Sequence, residues 1–143
     1  MTGFRWTNFG VAKKDVPLVA PSHATGRPLP PVIAQIFRKA IALALAREGC
    51  NVVCNDIDLS GARQTAREVK ALGQKSLAIK ADVSKTRQVR RMVERATAAF
   101  GRIDVLVNNA GGATAMGPFQ NQKEADWDRD IALNLKGAMI CSQ

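Results

Sequence analysis

The chain has 143 residues, 46% of them hydrophobic and 23% charged, and a formal net charge of +9. That composition is typical of one globular domain and excludes disorder over the whole chain. The absence of tyrosine and the single histidine, His23, exclude a phenolate base, a His-centred triad and a multi-His metal site within this chain acting alone. The longest uncharged apolar run, residues 40–46, is too short to span a bilayer, and no secretory signal precedes it, so we expect no membrane partner.

The three cysteines, Cys50, Cys54 and Cys141, do not form a disulfide framework. Cys50 and Cys54 fall in one predicted strand, where their backbones are about 13 Å apart and beyond disulfide reach. We expect buried free thiols in a reducing, cytoplasmic compartment. A cysteine-based metal site would need ligands that the sequence lacks, so no metal is expected.

Residues 1–30 form an irregular segment rich in proline and glycine, in which residues 16–20 are the only strand candidate. Pro17 confines that candidate to a sheet edge or to a strand start. From residue 31 to 143 the pattern predicts, in chain order, a helix that begins at Pro31 and is ended by Gly49, a strand at 51–56, a helix at 60–72, a strand at 76–81, a helix capped by Ser84 that reaches Phe100, a strand at 103–108, and a last helix from Lys123 to the end. This alternation predicts an α/β domain with a parallel sheet that is covered on both faces.

The positive charge is densest in the third predicted helix, at Lys85, Arg87, Arg90, Arg91 and Arg95. On a helix, the four arginines lie opposite an apolar face formed by Val89, Met92, Val93, Ala96, Ala99 and Phe100. We interpret the basic face as the solvated side of an amphipathic helix and expect no nucleic-acid partner. A phosphate-binding role for this face is the alternative.

Polar or glycine-rich residues directly follow three of the apolar strands, at 56–58, 82–84 and 109–112. Ligands of parallel α/β sheets bind at the carboxyl ends of the strands, so these positions are where chemistry is expected. On the last helix, Asn134 falls on an apolar stripe formed by Trp127, Ile131, Leu135 and Ala138. A polar side chain on a packed face needs hydrogen-bond partners, which makes Asn134 a candidate functional residue.

Five segments carry a resemblance to a known family: residues 40–49 (AIALALAREG), 52–56 (VVCND), 81–83 (ADV), 104–111 (DVLVNNAG) and 134–137 (NLKG). In this order and spacing the chain resembles the short-chain dehydrogenases/reductases, from about Arg38 to Gln143. Within the family it is similar to bacterial 3-oxoacyl-carrier-protein reductases and hydroxysteroid or hydroxyacyl dehydrogenases. The resemblance implies a partial Rossmann fold, a truncated doubly wound parallel sheet of order 3-2-1-4.

The resemblance also implies cofactor-binding residues. Asp56 would accept hydrogen bonds from the adenosine ribose, and its charge with the uncharged Ile57 favours NAD over NADP. Asp82 and Val83 would embrace the adenine, while Asn109, Ala110 and Gly111 would let the backbone approach the ribose and nicotinamide. The alternatives are that Asp56 or, better, Asp58 caps a helix, that Asp82 belongs to a turn or cap, and that 109–112 is a plain turn.

In the family, the residue that matches Asn134 belongs to a catalytic tetrad and holds a water in a proton relay. The alternative is a helical asparagine that is satisfied by a neighbouring backbone group. The family's other catalytic residues, a Ser and a Tyr-x-x-x-Lys pair, have no counterpart in the chain. Its Thr-Gly-x-x-x-Gly-x-Gly phosphate turn should occupy residues 31–38, which contain no glycine.

We therefore expect the N-terminal part of an NAD-dependent oxidoreductase, inactive as this chain, whose intact relative is a homo-oligomer acting on a small-molecule secondary alcohol or ketone. The abrupt change near residue 38 suggests that residues 1–37 arise from a frame shift or a mis-called start. One alternative is a non-catalytic nucleotide-binding or interaction module, and another is a basic nucleic-acid-binding protein.

Overall fold

A computed structural model describes residues 17–20, 31–113 and 118–143, without the side chains of 17–20 and 31–38. Its strands are β1 (Pro17–Ala20), β2 (Asn51–Asp56), β3 (Ser76–Lys80) and β4 (Val105–Leu106). Its α-helices are α1 (Pro31–Arg47), α2 (Leu59–Ala71), α3 (Thr86–Phe100), α4 (Glu124–Ile131) and α5 (Gly137–Ser142). A 3₁₀ turn at Phe119–Asn121 precedes α4, and a π-helical segment at Ala132–Lys136 joins α4 to α5.

The four strands form one parallel sheet in the order β3-β2-β1-β4. β1 lies in the centre, where Leu18 pairs with Val52 on one side and with Val105 on the other. Pro17 is the first residue of the strand, a position that tolerates the missing N–H. The strand candidate at 16–20 therefore occupies the central position that the predicted order required, while most of residues 1–30 lie outside the described residues.

The core has two layers because neighbouring side chains of β2 point to opposite faces of the sheet. Val52 and Cys54 pack with Ala62, Ala66 and Val69 of α2. On the other face, Val53 packs in a cluster that includes Ile79, Val89, Met92 and Leu133. The predicted doubly wound α/β architecture is confirmed.

The ends of α2 and α3 have different chemistry. Asp58 caps α2, since its carboxylate accepts hydrogen bonds from the backbone N–H of Ser60 and Gly61. The predicted Ser84 cap of α3 is wrong, because α3 begins at Thr86 after an N-cap residue, Lys85, that makes no side-chain cap bond. The Ser84 hydroxyl instead donates to Asp82 Oδ1 over 2.7 Å, which keeps it in the preceding turn.

β4 is two residues long, although the apolar pattern predicted a strand over 103–108. Within the described sheet β4 pairs only with β1, which is itself four residues long. Leu18 and Val19 are the β1 residues that find partners in β4, and the ladder ends there.

The last helical region buries a different face from the predicted one. Trp127, Ile131 and Leu135 are 36%, 54% and 59% exposed, and Met139 is also exposed. Leu133 and Gly137 are buried instead, with Gly137 packed closely against Val83. The prediction of a packed stripe at Trp127, Ile131 and Leu135 is wrong, and these residues form an exposed apolar stripe together with Met139.

The basic face of α3 is exposed, as predicted, while Val89, Met92 and Ala96 are buried beneath it. Ala99 is exposed and does not belong to the buried face. In the part of the chain that the structure describes, no helix has the length and hydropathy needed to cross a membrane.

Candidate functional site

The end of β2 places two carboxylates in different roles. Asp58 is the exposed N-cap of α2, whereas Asp56 is the last residue of β2 and only 5% exposed. Asp56 Oδ1 accepts a hydrogen bond from the backbone N–H of Asp58 over 2.9 Å. Helix capping therefore accounts for Asp58 and leaves Asp56 as a buried carboxylate at the carboxyl edge of the sheet, with Ile57 half-buried between them.

The turn after β3 is held by several elements. Asp82 Oδ1 accepts hydrogen bonds from the backbone N–H and the hydroxyl of Ser84, and the backbone N–H of Asp82 donates to Gln88 Oε1 of α3 over 2.8 Å. Val83 is buried against Gly137 of α5. Asp82 and Val83 thus belong to a turn that is held by hydrogen bonds and packing, in agreement with the turn alternative. A ligand-binding role for the two residues is compatible with this turn.

Two further residues hold this turn, and sequence reasoning missed them. Asn55 Nδ2 donates to the carbonyl of Ala81, directly before Asp82, over 3.1 Å. Gln88 is the third residue after the N-cap residue, the position from which Gln commonly reaches back to a preceding backbone N–H. Two features of the sequence could have indicated these residues. Asn55 is a polar residue within an apolar strand, and Gln88 lies at the third position after the N-cap residue of α3.

Asn134 lies in the π-helical segment, and its side chain forms hydrogen bonds with the glycine-rich turn after β4. Its Oδ1 accepts from Gly112 N–H over 2.9 Å, and its Nδ2 donates to the carbonyl oxygens of Gly112 and Asp130 over 2.7 and 2.9 Å. A Cβ at Gly111 would lie 2.9 Å from Asn134 Oδ1, so a larger residue there would require the Asn134 amide to shift from its present hydrogen bonds. These bonds agree with the alternative in which the Asn134 side chain is satisfied by neighbouring backbone groups. The role of Asn134 in a water relay stays a prediction.

A shallow crevice connects the turns after β3 and β4. It is lined by Val83, Asn108, Ala110, Gly137, Ala138 and Cys141 and encloses no space for a water molecule. The described residues therefore form an open surface here, with Asn109 and Gly111 half-buried beside it.

The cysteines are not arranged as nucleophiles or metal ligands. Burial raises the pKa of Cys54 to about 11, partly offset by its contact with the Ser76 hydroxyl. Burial also raises the pKa of Cys50 and of Cys141. Across residues 31–113 and 118–143, no group of three His, Cys, Asp or Glu side chains is arranged to hold a metal ion.

Among the described residues, the carboxyl edge of the sheet presents the carboxylates of Asp56 and Asp82 and the closely approachable backbone of residues 109–112. The prediction that residues 31–38 hold the family's phosphate turn is wrong, because these residues are the first two turns of α1. A helix there offers phosphate binding only through its N-terminal N–H groups, and Pro31 lacks one of them. The connection from β1 to α1 is formed by residues 21–30, which lie outside the described residues.

The sequence profile of the family described as short chain dehydrogenase matches residues 35–143. The chain belongs to this family. The identification makes it a relative of oxidoreductases with a Rossmann-type sheet, in agreement with the observed strand order.

Two curated relatives place this short-chain dehydrogenase chain more closely. It is 46% identical over 105 residues to (2S)-[(R)-hydroxy(phenyl)methyl]succinyl-CoA dehydrogenase subunit BbsD of Thauera aromatica, with 73% of this chain and 42% of the relative covered. It is 42% identical over 109 residues to 3-oxoacyl-[acyl-carrier-protein] reductase FabG of Staphylococcus epidermidis, with 73% and 43% covered. The chain thus spans less than half the length of these relatives.

A solved structure gives the same picture. The 3-ketoacyl-(acyl-carrier-protein) reductase of Brucella melitensis, complexed with NADH, matches with a TM-score of 0.73 and 28% sequence identity. The match covers 90% of this chain and 48% of that structure. The described residues therefore share the fold of this reductase.

Proposed function

We propose that this chain binds the adenosine half of NAD, as part of a cytoplasmic short-chain oxidoreductase that interconverts a small-molecule secondary alcohol and ketone. The observation that carries the proposal is the buried Asp56 carboxylate at the end of β2, beside the fixed turn at Asp82 and Val83. The family supplies the reaction class, and the free thiols of the three cysteines suit a reducing compartment.

The preference for NAD over NADP follows from charge. A carboxylate at Asp56 accepts hydrogen bonds from ribose hydroxyls and repels a phosphate on the same ribose. Its neighbours in the chain, Asn55 and Ile57, carry no positive charge that would offset the repulsion.

The remaining residues hold the rest of the ligand. Asp82 would accept a hydrogen bond from the adenine amino group, with the Val83 backbone beside the ring. Asn109, Ala110 and Gly111 would lie along the ribose and nicotinamide, and Asn134 would keep their turn in place. When bound, NAD supplies the hydride acceptor for alcohol oxidation.

Hydride transfer itself needs more than these residues. The family's general acid and base is a tyrosine, and this polypeptide contains none. We infer that the purified 143-residue chain produces no NADH from a secondary alcohol above a buffer blank, whereas its nucleotide binding remains measurable.

Titration calorimetry of the unmodified chain, Asp56→Asn and Asp104→Asn with NAD and NADP tests the ribose assignment. Asp104 precedes β4 at the opposite edge of the sheet and serves as the matched control. The unmodified chain and Asp104→Asn should prefer NAD, and Asp56→Asn should lower that preference by about tenfold, the worth of a charge-assisted hydrogen bond. Tighter NADP binding by the unmodified chain, or an unchanged preference in Asp56→Asn, would contradict it.

We further propose that the exposed apolar stripe binds a second copy of this chain. Trp127, Ile131, Leu135 and Met139 are spaced four residues apart. On a regular α-helix such residues drift by about 40° at each step, because a turn holds about 3.6 residues. The wider π-helical turn between Ile131 and Gly137 reduces this drift, and all four side chains are exposed.

The stripe is symmetric about Leu133, so an antiparallel pair of helices would bring Trp127 against Met139 and Ile131 against Leu135. An isologous interface needs such a self-complementary surface.

A further inference from the structure

Asn55 is a buried polar residue, and among the described residues only one of the two polar atoms of its side-chain amide has a hydrogen-bond partner. The residue is 2% exposed, and its Nδ2 donates to the Ala81 carbonyl of the neighbouring strand end. Its Oδ1 is buried and has no hydrogen-bond partner among the residues that the structure describes. A buried acceptor without a partner costs more stability than one net hydrogen bond contributes, so folding alone gives little reason for an asparagine here.

The single bond that Asn55 makes fixes a particular backbone unit. Ala81 donates its N–H to the carbonyl of Asp56 over 3.2 Å and accepts from Asn55 Nδ2 over 3.1 Å. Both backbone groups of Ala81 are therefore tied to two adjacent residues of β2. The next residue is Asp82, whose own N–H is held by Gln88.

We propose that Asn55 is a positioning residue for the adenine, because it sets the distance between the Asp56 carboxylate and the turn at Asp82 and Val83. Asn55 touches Ala81, not the ligand, and acts through the backbone that presents Asp82. The inference rests on the proposed binding of NAD at the carboxyl edge of the sheet. It assigns a role to Asn55, which is not among the residues proposed to contact NAD.

Asn51 provides a matched control at the other end of the same strand. Its Oδ1 accepts a hydrogen bond from the backbone N–H of Lys75 over 2.9 Å, so it too ties β2 to the backbone next to β3. Asn51→Leu and Asn55→Leu each remove one such tie, at opposite edges of the sheet. Asn55→Ser is a smaller change that also removes the bond to Ala81, and it replaces Asn55→Leu if that variant does not fold.

The test compares the affinities of the full chain for NAD and for its hypoxanthine analogue, in which a carbonyl replaces the adenine amino group. The unmodified chain and Asn51→Leu should prefer NAD by about tenfold, the worth of one hydrogen bond to the Asp82 carboxylate. Asn55→Leu should bring the two affinities to within about twofold of each other. Amide hydrogen exchange at Val83 and Ser84 should also become faster in Asn55→Leu than in Asn51→Leu.

The outcomes separate this inference from the proposed function. If the unmodified chain binds neither dinucleotide, both proposals fail. If it binds NAD without discriminating against the analogue, or if Asn55→Leu discriminates as well as Asn51→Leu, the role of Asn55 fails while the Asp56 assignment stands. A loss of discrimination in the Asn55 variants alone supports the inference.

Discussion

At the scale of single residues, Asn134 connects the turn after β4 to the last helical region. Its side chain binds both backbone groups of Gly112, and a Cβ at Gly111 would require its Oδ1 to shift. The contact links the turn after β4 to the π-helical segment, so the two residues should depend on each other energetically.

We predict that Gly111→Ala lowers the free energy of unfolding by about 1–3 kcal/mol, the usual cost of overpacking. In an Asn134→Ala background the same change should cost much less, since the clashing oxygen is gone. A double-mutant cycle by urea denaturation measures the coupling, which should be about 1 kcal/mol or more. Additive costs would show that the two side chains do not share this space.

The pKa of Cys54 predicts a loss of stability at high pH. The folded thiol has a pKa of about 11, against an ordinary value of 9.0, because burial disfavours the thiolate. The unfolded chain therefore loses its proton first as the pH rises, and the stability present below pH 9 declines until about pH 11. The total loss is about 3 kcal/mol, at about 1.4 kcal/mol for each pH unit.

Urea denaturation between pH 8 and pH 11 should show this decline in the unmodified chain. Cys54→Ala keeps the lysines that titrate in the same range and serves as the control. Its curve should fall less steeply. Parallel curves for the two proteins would mean that the thiol ionises equally in the folded and unfolded states.

At the scale of elements, the first turn of α2 depends on one carboxylate and the first turn of α3 does not. Asp58→Ala should cost about 1 kcal/mol, because Ser60 and Gly61 lose their acceptor. Lys85→Ala should change stability by less than about 0.5 kcal/mol, since that N-cap residue makes no side-chain bond. Thermal and urea unfolding of both variants measure the difference, and equal costs would contradict the assignment of the caps.

The elements with local signals were predictable from the sequence. β2 was predicted over the residues that form it, because its run of apolar side chains ends at a charged residue, Asp56, which marks the end of the strand. The Asp58 cap and the order of the sheet were also foreseen. The candidate site could be placed at the carboxyl ends of the strands, because this prediction needs only the order of strands and helices and the positions of the polar residues.

The elements that depend on distant contacts were not predictable in the same way. β4 pairs with β1 at only two residues, and no local sequence pattern reports how far two distant strands will pair. Ser84 has the chemistry of a cap but is engaged by the Asp82 carboxylate. The buried face of the last helix depends on the extra π-helical residue, which a period of 3.6 residues does not include.

At the scale of the whole molecule, the exposed apolar stripe predicts self-association. Leu135→Glu should shift the chain toward the monomer in light scattering coupled to size-exclusion chromatography, because a charge at an apolar interface is costly to bury. Leu72→Glu replaces an exposed leucine at the end of α2 and should leave the mass unchanged. A monomeric unmodified chain, or equal effects of both changes, would contradict the proposed interface.

The placement of the nucleotide is the central claim, and a titration of the isotope-labelled full chain with NAD tests it most directly. Amide chemical shifts in the NMR spectrum should move at residues 56–58, 82–84 and 109–112, the ends of β2, β3 and β4. Arg87, Arg90, Arg91 and Arg95 on the exposed face of α3 should not respond. Shifts confined to that basic face would contradict the account and favour a phosphate-binding surface, and unchanged spectra at saturating NAD would contradict nucleotide binding by this chain.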